Sequence, residues 1–275
     1  MQTNLTDELM RAEGLMIQDQ DEEARMLLER LAEDAEEYVD RNCPVTESVQ
    51  WFSFPTMFDR LCYRRVEEDP RELHDVGEPL DRLYADLALA CVCTNDYDAA
   101  KEALKAAVRW NPMNCAYRLD LADLFLIDGD VRECMGLTYS VFERASDVYH
   151  LIRAYITFAN YFAKTQNPRA GAACLYAARR FGVEDTTLAS ALDQAAGTEW
   201  DPEGLTEDEV SALLAEAGLP EGANAEVAIC LLMCATDAAA AGDRNLATEL
   251  TLRARDLVGE AACMTLVALI READE

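Results

Sequence analysis

The chain runs to 275 residues, 51% of them hydrophobic, with 53 acidic side chains against 24 basic ones and a formal charge of −29. That apolar content excludes global disorder, and so negative a field disfavours nucleic acid and anionic membranes as partners. Ten cysteines without a paired CxxC, beside only two histidines, argue against a zinc centre and for reduced thiols in a cytoplasmic protein.

At the amino terminus, MQTNLTDELMRAEG lacks a basic region followed by an apolar run and does not read as a signal peptide. Residues 6–18 form an amphipathic helix opened by Thr6. Asp21–Arg41 form a second, with Met26, Leu27, Leu31, Ala35 and Tyr38 on its apolar side and Glu33, Asp34, Glu36 and Glu37 on a solvated one. The pattern breaks over Cys43–Pro55, where Trp51, Phe52 and Phe54 predict a loop that staples the N-terminal helices onto the helical hairpins downstream. A helix over Thr56–Glu68 carries Arg60, Arg64 and Arg65, which Glu67, Glu68 and Asp69 are expected to pair.

From Pro79 the period sharpens. Tyr84, Leu87, Cys91 and Val92 return at helical spacing, Thr94, Asn95 and Asp96 interrupt, and Ala100, Ala103, Leu104, Ala107 and Val108 resume before Pro112 ends the unit. The pattern recurs with Leu121, Ala122, Phe125, Gly129, Cys134, Thr138 and Val141, where Gly129 fits a left-handed turn position. A third copy, slightly longer, runs Tyr155, Phe158, Ala159, Phe162, Asn167, Gly171, Leu175 and Ala178. A fainter fourth holds Leu231, Cys234, Ala235, Ala238, Gly242, Ala247, Thr251 and Ala254.

This spacing resembles the tetratricopeptide repeat, a helical hairpin of roughly 34 residues. The resemblance implies an all-α, right-handed helical-hairpin solenoid with flanking N- and C-terminal helices. Its parts would be an N-terminal helical region over 1–78, three repeats over 79–181 and an acidic C-terminal region over 182–275, which holds the degenerate repeat and a capping helix at Ala261–Ala273.

Gly182 opens a different composition, with no Lys or Arg between Arg180 and Arg244. Thr187–Ala196 reads as a short helix, and Thr206 with Glu209 as a capping box. The acidic run Glu199–Gly204 lacks the terminal glutamate of a calcium loop. The longest charge-free apolar run, Val227–Thr236, is too short to cross a bilayer.

No HExxH, glycine-rich phosphate loop or GxSxG motif appears, so the expectation is a protein that is not an enzyme and needs no cofactor and no metal. Tetratricopeptide-like domains bind proteins or peptides through a groove lined by the first helix of each repeat. The resemblance places Arg82, Leu119, Asp123, Leu126, Ile127, Arg153, Ile156, Asn160 and Lys164 in that partner-binding groove. Its polar residues sum to a mildly basic hollow suited to an acidic or neutral segment. The lysine and asparagine cluster that clamps a terminal carboxylate in some relatives is absent, because Ala85 and Leu89 stand there. The alternative is a small-molecule sensor or divergent enzyme using the same hollow. Oligomeric state is left open.

Overall fold

One backbone solution, a left-handed residue at Asp19, Asn95, Gly129 and Gly242, closes four helical hairpins of this chain. The structure is a computed structural model that describes residues 4–165 and 167–273. It divides into two compact units, residues 1–134 and 135–275. Unit 1 runs α1 (Leu5–Ile17), α2 (Asp21–Asn42), β1 (Val49–Phe52), α3 (Met57–Val66), β2 (Glu72–Asp75), α4 (Leu80–Cys93), α5 (Tyr97–Trp110) and α6 (Cys115–Ile127). Helix α7 (Val131–Arg144) contains the division.

In unit 1 each first helix is followed by a turn residue in the left-handed region, and the next residue folds back onto the helix. Asn95 (φ 60°) and Gly129 (φ 81°) occupy that position, as does Asp19 (φ 58°) between α1 and α2. The amides one residue later reach back to close the helix end: Asp96 N–H to Cys91 O at 2.8 Å, Asp130 N–H to Phe125 O at 2.9 Å and Gln20 N–H to Leu15 O at 3.0 Å. Asp96 and Asp130 then cap the second helix, accepting from the amides of Ala99 and Glu133. The shared turn identifies α1–α2 as a hairpin equivalent to α4–α5, separated from it by an insertion. Helices α1 and α2 pack on α4 through Leu9, Leu28, Leu31, Leu83 and Tyr84 in one buried cluster. Arg25 of α2 seals the joint, bonding Asp96 Oδ2 at 2.7 Å and Thr94 Oγ1 at 3.1 Å.

The insertion is not a plain loop. Strands β1 and β2 pair in parallel, Val49 opposite Glu72 and Phe52 opposite Asp75, with α3 as the crossover between them. Phe52 is buried, stacked on Phe54 at 4.7 Å and against Tyr63 at 4.5 Å, so the aromatic segment turns inward. Ser53 fastens it to the repeat: its Oγ donates to Glu78 O at 2.8 Å and accepts from Leu80 N–H at 3.0 Å, and its amide donates to Trp110 O. Arg60 and Arg64 donate to the carbonyls of Leu73, Asp69 and Arg71 and thereby hold the insertion's backbone, while Asp69 is paired by Arg71 at 2.6 Å. Met26, expected on the apolar side of α2, is exposed, and Leu28 takes the buried position.

Unit 2 contains the rest of α7, then α8 (Val148–Lys164), α9 (Pro168–Arg179), α10 (Thr186–Ala195), α11 (Glu207–Glu216), α12 (Ala225–Ala240), α13 (Arg244–Val258) and α14 (Glu260–Ala273). Asn167 caps α9 and Asp243 caps α13, and Gly242 (φ 85°) repeats the left-handed turn. Helices α8 and α9 meet closely at Gly171, where an added Cβ would lie 3.1 Å from Ala159 O. The fully buried Tyr155 donates to Pro220 O at 2.9 Å and accepts from Gly222 N–H at 2.8 Å, pinning the segment before α12 to the α8–α9 hairpin. Helix α10 packs on α8 and α9, α11 on α9, and α14 on α12 and α13. The capping box of Thr206 and Glu209 is formed. The fold class is an all-α, tetratricopeptide-like helical-hairpin solenoid with flanking helices.

Candidate protein-interaction site

Counting back from the left-handed turn residue gives equivalent positions on the first helices of unit 1. They are Thr6, Met10, Glu13 and Ile17 on α1, and Arg82, Asp86, Leu89 and Cys93 on α4. On α6 they are Ala116, Asp120, Asp123 and Ile127. The helical period sets each group on one face. Polar bonds tie the three helices side by side: Arg82 pairs Glu13 of α1, and the Tyr117 hydroxyl of α6 donates to Asp81 of α4 at 3.4 Å.

The row nearest the turns is apolar. Ile17 is 84% exposed and Ile127 63%, with exposed Cys93 between them in the repeat order and exposed Leu89 one turn away. The middle of the face carries the carboxylates Glu13, Asp86, Asp120 and Asp123, with Arg82 bonded to Glu13. The mildly basic hollow expected from sequence took its sign from Arg153 and Lys164, which lie on α8 of unit 2; within unit 1, Arg82 and Asp123 balance each other, and α1 and positions 86 and 120 add Glu13, Asp86 and Asp120 to the face.

Two aspartates on α4, Asp81 buried and Asp86 partly so, behave differently. Asp81 accepts from Asn111 Nδ2 at 3.2 Å and from Tyr117, and shares the single Ser53 hydroxyl proton, at 3.2 Å, with the shorter bond to Glu78 O; its role is structural. Burial pushes its carboxyl above the ordinary range and those donors oppose the push. The side chain of Asp86 is 15% exposed. Its buried Oδ2 accepts no hydrogen bond, and the Arg82 Nε, at 3.8 Å, is engaged with Glu13. Burial, reinforced by the negative charges of Glu13 and Asp81, raises its pKa to about 7, against the pull of Arg82.

Of the residues expected from sequence, Arg82, Asp123 and Ile127 fall on this face of unit 1, and Leu126, exposed, flanks it. Leu119 is a core side chain at 1% exposure: the helical period allows either 119 or 120 to point outward, and packing selects Asp120. In unit 2, α8 carries the other four. Arg153 is half-buried, Asn160 and Lys164 are exposed, and Ile156 lies in the core. Asp86, Glu13, Met10 and Ile17 were missed. The step from Asp120 back to Asp86, one repeat, was the available signal.

Unit 2 also holds a cleft of about 670 Å³, lined by Phe181, Leu257 and three glycines; two arginines stand at it, Arg180 paired with Glu221 and Arg255 with Asp256. Among the described residues no group of three or more His, Cys, Asp or Glu side chains is arranged to hold a metal ion, and no helix is long and apolar enough to cross a membrane.

No protein-family model matches the chain, and no curated protein matches it. Among solved structures, one described as the functional characterization of Pseudomonas aeruginosa pilF aligns over 99% of this chain and 98% of that one, with 13% sequence identity and a TM-score of 0.46.

Proposed function

We propose that this chain is a non-catalytic, cytoplasmic adaptor or scaffold that holds a protein or peptide segment on the first-helix faces of its hairpins. The recurrence of apolar side chains at one exposed repeat position carries the reading. Ile17, Cys93 and Ile127 each stand two residues before a left-handed turn, and Leu89 adds to the same patch. Side chains left in water this way contribute nothing to folding, whereas covering each fully is worth about 1.5–3 kcal/mol. In unit 2, Arg153, Asn160 and Lys164 of α8 supply a separate, basic contact row. The test is the double substitution Leu89→Asp with Ile127→Asp. Both side chains are exposed, so the helical circular-dichroism signal should persist while partners captured from native lysate are lost. Retention of every partner would move the site off this face.

A further inference from the structure

A carboxylate buried without a hydrogen bond at one oxygen is costly unless something cationic arrives to meet it. Asp86 is such a group, and it lies in the middle of the first-helix face of unit 1, with Arg82 already drawn toward Glu13. On the same face lie the exposed apolar Met10 of α1 and Leu89 of α4 and, one hairpin along on α6, Ile127. The chemistry complementary to that arrangement is an ammonium or guanidinium on an apolar segment.

Resting on the adaptor reading above, we infer that the face of unit 1 selects a protein segment that places a lysine or arginine against Asp86 between apolar side chains seated by Leu89 and Ile127. The groups that bear on Asp86 are Arg82 and Asp81 from α4, Glu13 from α1 and Tyr117 from α6. Of these, Arg82 alone is cationic, and it is shared with Glu13. An incoming cation therefore gains a charge-assisted bond and relieves the repulsion between Asp86, Glu13 and Asp81. Because the site must be ionised to work, binding of the cation drives a proton off Asp86, and affinity rises with pH.

The experiment uses the full chain and three fluorescein-labelled peptides that share a leucine pattern and differ at one central position, Lys, Gln or Glu, read by fluorescence anisotropy at physiological salt. The Lys peptide should bind about tenfold more tightly than the Gln peptide and the Glu peptide more weakly still. Asp86→Asn should bring the Lys peptide down to the Gln level without altering the Gln peptide. Affinity of the unaltered protein for the Lys peptide should rise about tenfold from pH 6 to pH 8, and this rise should vanish in Asp86→Asn. A control, Glu33→Gln with Glu37→Gln on the exposed side of α2, should leave the Lys peptide within about twofold, since it changes net charge without touching the face. Equal losses from the control pair and from Asp86→Asn would reduce the effect to the general field of an acidic protein and overturn the inference. Insensitivity of the Lys peptide to Asp86→Asn, with both peptides lost in Leu89→Asp with Ile127→Asp, would overturn the inference and leave the adaptor reading standing. Binding that ignores Leu89 and Ile127, or no binding by any of the three, would remove both for this unit.

Discussion

Replacing Asp86 with asparagine should stabilise unit 1 above neutral pH and leave it nearly unchanged near pH 4. The folded carboxyl titrates at about 7, pushed there by burial first and then by Glu13 and Asp81, with Arg82 opposing. In the unfolded chain it titrates near its ordinary value of about 4. Below that value both states hold the proton and the group contributes nothing. Between about pH 4 and pH 7 the native state keeps a proton that the unfolded state releases, so stability falls as pH rises, and above pH 7 the loss is complete. A displacement of about three pH units at 1.36 kcal/mol each sets a ceiling of roughly 4 kcal/mol. Residual solvent contact, with the side chain 15% exposed, lowers the expected gain of Asp86→Asn at pH 8 to about 2–3 kcal/mol. The measurement is urea unfolding of the protein and its variant from pH 4.5 to pH 8, both in a Trp200→Phe background so that Trp51 and Trp110 report unit 1 alone. The difference between the two curves isolates Asp86 from every other carboxylate. A difference independent of pH would mean that packing, not charge, governs the site; a variant less stable at pH 8 would mean that the carboxylate is satisfied there.

Three further outcomes rest on local geometry. Gly129→Val should destabilise the α6–α7 turn by about 1 kcal/mol or more, because φ of 81° strains a β-branched residue even though space is open around it; an unchanged melting temperature would refute this. Two glycines inside helices should answer in opposite directions: Gly171→Leu forces α8 and α9 apart and should cost about 1–3 kcal/mol, while Gly136→Ala, with nothing nearby and an exposed helical site, should gain about 0.5–1 kcal/mol in thermal or urea unfolding. Thiol titration should find ten reactive cysteines in denaturant; in the native state Cys93 should react first, slowed by burial and by Asp21, Cys234 later, and the eight buried thiols only on opening.

What could be read from the sequence was whatever short-range chemistry decides. The hairpins from Pro79 onward, the turn at Gly129 and the capping box of Thr206 and Glu209 each depend on residues within a few positions of one another, and each formed as expected. The parallel pairing of β1 with β2 escaped because each strand is four residues long, neither alternates, and their partners lie across a helix. Arg60 and Arg64 sat beside acidic neighbours in sequence, yet the backbone of the insertion brings carbonyls closer than those carboxylates. The face of unit 1 was legible only in part for the same reason. Arg82, Asp123 and Ile127 follow from the period of a single hairpin. Asp86 gains its meaning from Glu13, and Glu13 belongs to a hairpin that the insertion at 43–79 displaces from the regular spacing of the repeats. A left-handed residue needs only its own backbone to declare itself, so the turns at Asp19 and Asn95 restore the alignment that apolar spacing loses, and with it the carboxylates in the middle of the face. That alignment also explains why the insertion is tolerated: it leaves the packing of α2 on α4 intact, bridged by Arg25 to Asp96, and anchors itself through Ser53 at the start of α4, away from Leu89 and Cys93 at the other end of the helix.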